Sequence, residues 1–268
     1  MLERAMTEIS NGAVAPWREL FPDYAAGMRI GLKVNCLNKF LSTSLPVVKA
    51  IVAGLQRDLS IPGSDIVVWD RRLDELTRAG FTPAALGTQV LGTVTSTTDA
   101  DGPGYEDCYC AVSPGKRVRL SRILTELTDV TINCPVLKAH EVSGVTAALK
   151  NVYGVIDNPG DFHNDLNTAL PAIYMLAPIQ ERFRFVVLDA LIAVILGGTA
   201  SESDLTPKRL VLSPDPLALD TYALDLVNRM RADEGSMLPI PTALTEWLAN
   251  AYQLGVGRRE VDLVSVAV

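Results

Sequence analysis

No stretch of this sequence is apolar for long enough to cross a bilayer. The longest run, Phe185 to Leu196, is broken by Asp189 and falls well short of the roughly 20 residues a spanning helix needs. It reads as a buried strand and its continuation. Basic clusters are lacking too. The net charge is −7 and lysine and arginine are dispersed, which argues against nucleic acid as the main partner. Cysteine is sparse: Cys36, Cys108, Cys110 and Cys134 have no Cys-x-x-Cys spacing, so neither a zinc ribbon nor an iron–sulfur module is encoded. Free thiols are expected, although Cys108 and Cys110 flank a single residue in a loop where a strained disulfide or a metal is the alternative. Also missing are Gly-x-x-x-x-Gly-Lys-Ser/Thr, Gly-x-Gly-x-x-Gly after a strand, and Gly-x-Ser-x-Gly. Their absence argues against phosphate-loop, dinucleotide-binding and serine-hydrolase readings, leaving only Ser143 near His140 for the last. At the start, residues 1–9 place acids among apolar side chains with no basic block before an apolar one. This reads as an amphipathic helix rather than a secretory signal, and the expected location is cytoplasmic.

What is present is ample apolar material, 48% of residues, in runs of strand length that alternate with helical patterns. That is the sequence form of repeated βα units, so the expected fold is α/β, a mostly parallel sheet flanked by helices. One domain over 1–268 is the reading, with two subdomains around a crevice as its variant. Strands are expected near 28–35, 65–69, 88–96, 116–120, 129–134, 183–189, 208–212 and 261–266. Helices fit 45–58, 72–79, 121–127, 143–151, 166–178, 215–231 and 241–252. Gly- and Asp-rich 99–107 and the stretch 197–207 read as exposed loops. Asp215-Pro216 reads as a helix cap and Asp220 as a solvated acid on the same helix.

Several strands end in polar groups: Val34-Asn35-Cys36, Trp69-Asp70-Arg71, Ile132-Asn133-Cys134 and Leu188-Asp189. In open parallel sheets such ends share one crevice, where ligands bind. The following loop offers Lys39, Ser42, Thr43 and Ser44 before Pro46, which suits either an anion or a plain helix cap. With Asn35 and Lys138, Lys39, Ser42 and Thr43 are the candidate cofactor-binding groups. Both histidines of the chain, His140 and His163, bracket Lys150. Imidazole transfers protons near neutrality and ligates metals. A lysine in an apolar crevice loses stabilisation of its charged form, so Lys150 could act as a base or a Schiff-base amine. Asp161 would be a further charged group, and Asp157-Asn-Pro-Gly160 a turn returning His163 toward Lys150. The structural alternative has Lys150 reaching out from a helix flank and His163 closing a turn.

The ordered runs Gly31-Leu-Lys-Val-Asn-Cys36, Ser42-Thr-Ser-Leu-Pro46, Ile66-Val-Val-Trp-Asp-Arg71, Ile132-Asn-Cys-Pro-Val-Leu-Lys-Ala-His140, Ala148-Leu-Lys-Asn-Val-Tyr-Gly154 and Leu212-Ser-Pro-Asp-Pro-Leu-Ala-Leu-Asp220 resemble the domain of unknown function family 362. The resemblance spans about 28 to 266. It implies no reaction, and the ferredoxin-type segment of some relatives is not read here. A more distant likeness is to nickel-pincer lactate racemases. Lys150 follows His140 by ten residues and precedes His163 by thirteen, the order seen in that family. The likeness implies Lys150 as tether of a pyridinium nucleotide, His163 as metal ligand, His140 as acid/base, and Asp70 near the other acid/base. The racemases' Gly-Gly-Arg-Lys is Ala147-Ala-Leu-Lys150 here, and a third histidine is missing.

The expectation is an enzyme acting on a small organic acid or carbonyl compound by proton transfer, as a racemase, epimerase or isomerase does. Its catalytic residues would be His140, Lys150 and Asp70, with a nickel-pincer-type nucleotide or a divalent metal as the cofactor options. The alternatives are a non-catalytic metal- or anion-binding protein, and a redox protein served by a separate iron–sulfur partner. No membrane or nucleic-acid partner is expected; a homodimer stays open.

Overall fold

In the computed structural model, which describes residues 1–196, 201–202, 205–235 and 238–266, eight strands make one sheet and two make a separate hairpin. The strands are β1 (Ile30–Lys33), β2 (Ile66–Arg72), β3 (Gln89–Val94), β4 (Cys110–Ser113), β5 (Lys116–Val118), β6 (Val130–Asn133), β7 (Val136–His140), β8 (Gly144–Thr146), β9 (Phe183–Val194) and β10 (Arg209–Ser213). Strands β3, β2, β1 and β6 lie side by side in parallel. β6 and then β7 follow one edge of β9, also in parallel, and are separated by Cys134-Pro135, where proline has no N–H for the ladder. β10 runs antiparallel along the other edge of β9, and β8 folds back antiparallel on β7. The fold is thus α/β, with a mostly parallel sheet flanked by helices.

The alternation of side chains along the strands divides the core in two. Ile66 and Val68 of β2, with Phe185 and Val187 of β9, pack toward Trp17 and the helix Leu45–Leu59. Val67 and Trp69, with Val186 and Leu188, pack toward the helices Leu166–Tyr174, Pro216–Asp233 and Glu246–Gln253. Both faces of the central strands are therefore covered, which is why they read as apolar runs rather than as an alternation of apolar and polar. Gly31 of β1 is required by contact, since a Cβ there would stand 2.9 Å from both Thr131 Oγ1 and Trp69 Nε1.

Several sequence expectations change. The 143–151 helix is β8 followed by a short helix, Ala148–Asn151. Gly144, at φ +70°, and the β-branched Val145 and Thr146 favour the hairpin instead. The strand expected at 261–266 pairs with nothing among the described residues; Leu263 and Val264 are exposed, and an apolar run without a partner strand makes no ladder. The strand at 183–189 continues to Val194, so Asp189 lies within it rather than at its end. β5 joins β4 outside the main sheet. Asp215 caps its helix by accepting from Leu217 N and Ala218 N, whereas Asp220 is fully buried rather than solvated. The four cysteines are free thiols. Of the loop expected at 197–207, residues 197–200 and 203–204 lie outside the described residues. No helix among the described residues is long and apolar enough to cross a membrane.

Candidate functional site: a cationic cavity at the carboxyl edge of the sheet

A cavity of about 350 Å³ opens where β1, β2 and β7 end. Five cationic side chains line it, those of Lys33, Arg71, Arg72, Lys138 and Lys150, against two carboxylates, Asp70 and Glu75. In a chain of net charge −7 this is a local reversal of sign. An apolar-walled hollow of one sign of charge draws in ions of the other.

Its floor is a buried ion pair. Lys33 Nζ donates to Asp70 Oδ1 at 2.7 Å and to the Val34 carbonyl at 2.8 Å. Asp70 also accepts from Cys36 N and Arg71 N, each at 2.7 Å. The carboxylate is thus held by three donors and stays occupied. Beside it three asparagines interlock, Asn35 and Asn133 at strand ends and Asn151 at the end of the short helix. Asn151 receives from Asn35 Nδ2 at 2.9 Å and gives to Asn133 Oδ1 at 2.7 Å, while Asn133 Nδ2 donates to the Ala148 carbonyl. Gly154 closes over this floor: a Cβ there would stand 2.8 Å from Lys33 Nζ.

One wall is the β7–β8 hairpin. Leu137 and Ala139 of β7 enter the core, and the period of two sends Lys138 and His140 to the opposite face. Between the Val136 and Lys138 pairings β9 advances five residues for two on β7, an irregularity of the kind that re-aims side chains near sites. Lys138 stands opposite Thr146 in the hairpin register. Its amine donates to Asn35 Oδ1 at 3.2 Å and has no acid partner among the described residues. His140 Nδ1 accepts from Val142 N at 3.1 Å and Ser143 N at 3.2 Å, which leaves the hydrogen of the neutral ring on Nε2. Ser143 thereby serves His140 with its backbone; its hydroxyl donates to the Val145 carbonyl.

The other wall is the helix Ala148–Asn151 and the turn after it. This one-turn helix is held by Asp220, whose two oxygens accept from Ala148 N at 2.6 Å and Leu149 N at 2.9 Å. Burial lifts the Asp220 carboxyl to about 7, against the pull of those two N–H groups. Lys150 is buried rather than reaching into water, with its amine 3.6 Å from the centre of the Tyr153 ring and no acid partner among the described residues. Burial, and then the charge of Lys138, lowers Lys150 to about 7. Burial lowers Lys138 to about 8 and His140 to about 4, the latter also opposed by Lys150, His163 and Lys138. His163 stacks on His140 with centroids 6.3 Å apart and meets Tyr153 edge to face. It also borders a second hollow, formed with Val142, Asn167 and Leu244.

Of the residues singled out by sequence, the cavity gathers Asn35, Asp70, Lys138, His140, Lys150 and His163. Lys39, Ser42 and Thr43 are not on its walls. Lys39 lies over the Phe40 ring, Ser42 bonds the Asn38 carbonyl, and Thr43 ties Asn35 N to the Cys134 carbonyl. The helix start at Ser44 already has its anion, Asp189, which accepts from both the backbone N–H and the hydroxyl of Ser44. Asp161 is exposed and off the cavity. Sequence reasoning missed Lys33, Asn151, Thr146 and Tyr153. Lys33 and Asn151 stood inside quoted motifs; nothing local marked Thr146. No group of three His, Cys, Asp or Glu converges among the described residues, so a metal at His163 would have to take most of its ligands from a cofactor.

Fold and site together define an α/β protein with a positively lined hollow at the carboxyl edge of its sheet. Residues 30–225 match the family described as Domain of unknown function (DUF362), and the chain belongs to that family. No curated protein matches the sequence. It is similar to a Thermotoga maritima protein of known crystal structure, with TM-score 0.46 and 12% identity, over 92% of this chain and 59% of that one. The chain thus spans about three-fifths of that protein's length.

Proposed function

We propose that the protein is an enzyme that moves a proton on a small anionic organic acid or carbonyl compound, in the manner of a racemase, epimerase or isomerase. The observation that carries this reading is Lys150, a buried amine without an acid partner among the described residues, whose pKa of about 7 leaves it half neutral near pH 7. Such an amine is a competent general base, because a catalytic pKa close to ambient pH balances availability against strength. His140 has a complementary role. With Nδ1 engaged by the hairpin turn and protonation suppressed to about 4, its neutral ring presents Nε2–H as a donor to a developing oxyanion. Asp70, with three donors on its carboxylate, positions Lys33 instead of carrying protons. A nickel-pincer-type nucleotide, if bound, would be tethered by the same Lys150 amine, and His163 would be the imidazole offered to its metal.

The test is hydrogen exchange. The full chain is incubated in D2O with a panel of small 2-hydroxy, 2-oxo and dicarboxylic acids, and deuterium entry at the carbon next to the carboxyl or carbonyl group is read by NMR. Exchange on at least one acid, lost in Lys150→Ala, is the expected result. No exchange on any acid with the folded protein, or exchange that survives Lys150→Ala, overturns the reading.

A further inference from the structure

We propose that Lys138 and Thr146 form a carboxylate anchor, and that the molecule bound in the cavity is a small dicarboxylate. The inference names the substrate class of the same site and rests on the proton-transfer reading only in assigning the reacting end to Lys150. Two observations independent of that chemistry carry it. Thr146 lines the cavity and is 3% exposed, and its Oγ1 is buried with no hydrogen-bond partner among the described residues. A buried hydroxyl left in that state costs about 1–3 kcal/mol, so a site that keeps one is built for an acceptor that arrives later. Directly across the hairpin stands Lys138, 1% exposed, with an amide oxygen at 3.2 Å but no carboxylate among the described residues. Paired residues in a hairpin share a face of the sheet, with their Cβ atoms about 5 Å apart. One cation and one hydroxyl therefore rise from the same face of the hairpin that lines the cavity, the two kinds of donor that a carboxylate accepts from.

The rest of the cavity repeats the pattern. Tyr153 OH is a second buried hydroxyl without a partner among the described residues, in the residue whose ring lies under the Lys150 amine. The remaining charges on the walls are largely committed: Lys33 to Asp70, and Arg72 to Asp74 and Glu75. Arg71 gives its N–H groups to Tyr105 OH and the Asp157 carbonyl. Two buried hydroxyls, each near a lysine, remain for the ligand. A molecule with one carboxylate gives an acceptor to one of these hydroxyls, whereas a dicarboxylate gives one to both. A hollow of about 350 Å³ has room for a dicarboxylate of a few carbons.

Calorimetric titration of the full chain with succinate, lactate and inorganic phosphate tests the proposal. Succinate is expected to bind at least about tenfold more tightly than lactate, the ratio that one satisfied charged hydrogen bond supplies. Thr146→Val should remove most of that ratio and Thr146→Ser should keep it, so a loss caused only by misfolding is recognised. Equal affinity for succinate and lactate, a ratio unchanged in Thr146→Val, or phosphate binding more tightly than succinate would each overturn the anchor. The two readings fail separately. Tight succinate binding without deuterium exchange on any acid leaves the anchor and removes the proton chemistry; exchange confined to monocarboxylates does the reverse.

Discussion

At the scale of the residue, the two lysines that face the cavity set a narrow working range. Lys150 must be neutral to take a proton, so exchange falls as pH drops below about 7, where the amine is charged. Lys138 must be charged to hold an anion, so exchange also falls as pH rises above about 8, where it becomes neutral. A bell-shaped rate with limbs near those two values is the expected profile. Lys138→Arg should abolish the alkaline limb alone, because guanidinium stays charged throughout; steady-state rates across pH check it. The Lys33–Asp70 pair makes a different prediction, one about stability. Asp70→Asn leaves the Lys33 ammonium buried at 1% exposure without its counter-charge, and should cost about 3–5 kcal/mol. Adding Lys33→Met should recover much of that loss, as measured by urea denaturation. Lys33 stood inside a quoted motif but was not singled out, since a lysine ending an apolar strand looks like any solvent-facing strand terminus. Only the fold shows that β2 brings Asp70 to it. His140, Lys150 and His163 were legible because scarcity of histidine draws attention to them and because their order and spacing carry a likeness to a known family, although the hairpin between them was read as helix.

Single elements show where pattern suffices and where it fails. β1, β2, β6 and β9 are buried on both faces, and continuous apolar runs announce them. β7 and β8 are short and carry polar side chains toward the cavity, so their period of two is masked by the residues that matter most for function. The 261–266 segment errs the other way, with a strand-like pattern and no neighbour. Placement of the Lys150 helix depends on a distant element. Ala148–Asn151 is a single turn, too short to persist alone, and Asp220 on the helix Pro216–Asp233 accepts its first two N–H groups. Asp220→Ala should therefore destabilise the protein by about 2 kcal/mol, at the upper end for a lost helix cap, because the N–H groups it leaves are buried. Asp220→Asn, which retains one acceptor, should lose less. Thermal or urea denaturation gives both values, and an Asp220→Ala protein as stable as the parent would contradict the capping role.

For the whole molecule, both faces of one sheet support separate apolar clusters, and this has a consequence for unfolding. β2 and β9 contribute alternate side chains to each cluster, so neither can dissolve while the strands keep their ladder. One cooperative transition is expected, and the tryptophans report on it. Trp17 lies in one cluster and Trp247 in the other, both almost fully buried. Trp17→Phe leaves Trp69 and Trp247 to report on one cluster, and the double variant Trp69→Phe/Trp247→Phe leaves Trp17 to report on the other; each should give coincident fluorescence and circular-dichroism curves in urea, and distinct midpoints for the two probes would show independent units. The sequence conveys this architecture through composition and the spacing of apolar runs, but not the order of strands around β9. That order depends on long-range pairing, and the antiparallel return of β10 has no local signature.

His163 lines both the cavity and the second hollow. Under the proposed function its imidazole would act as a ruler for how long a molecule can lie with its head among the lysines. Trimming the ring to a methyl group in His163→Ala joins the two compartments, and longer-chain acids should then compete where only short ones fit. Competitive titration across a homologous series of diacids would show the preferred length shifting upward.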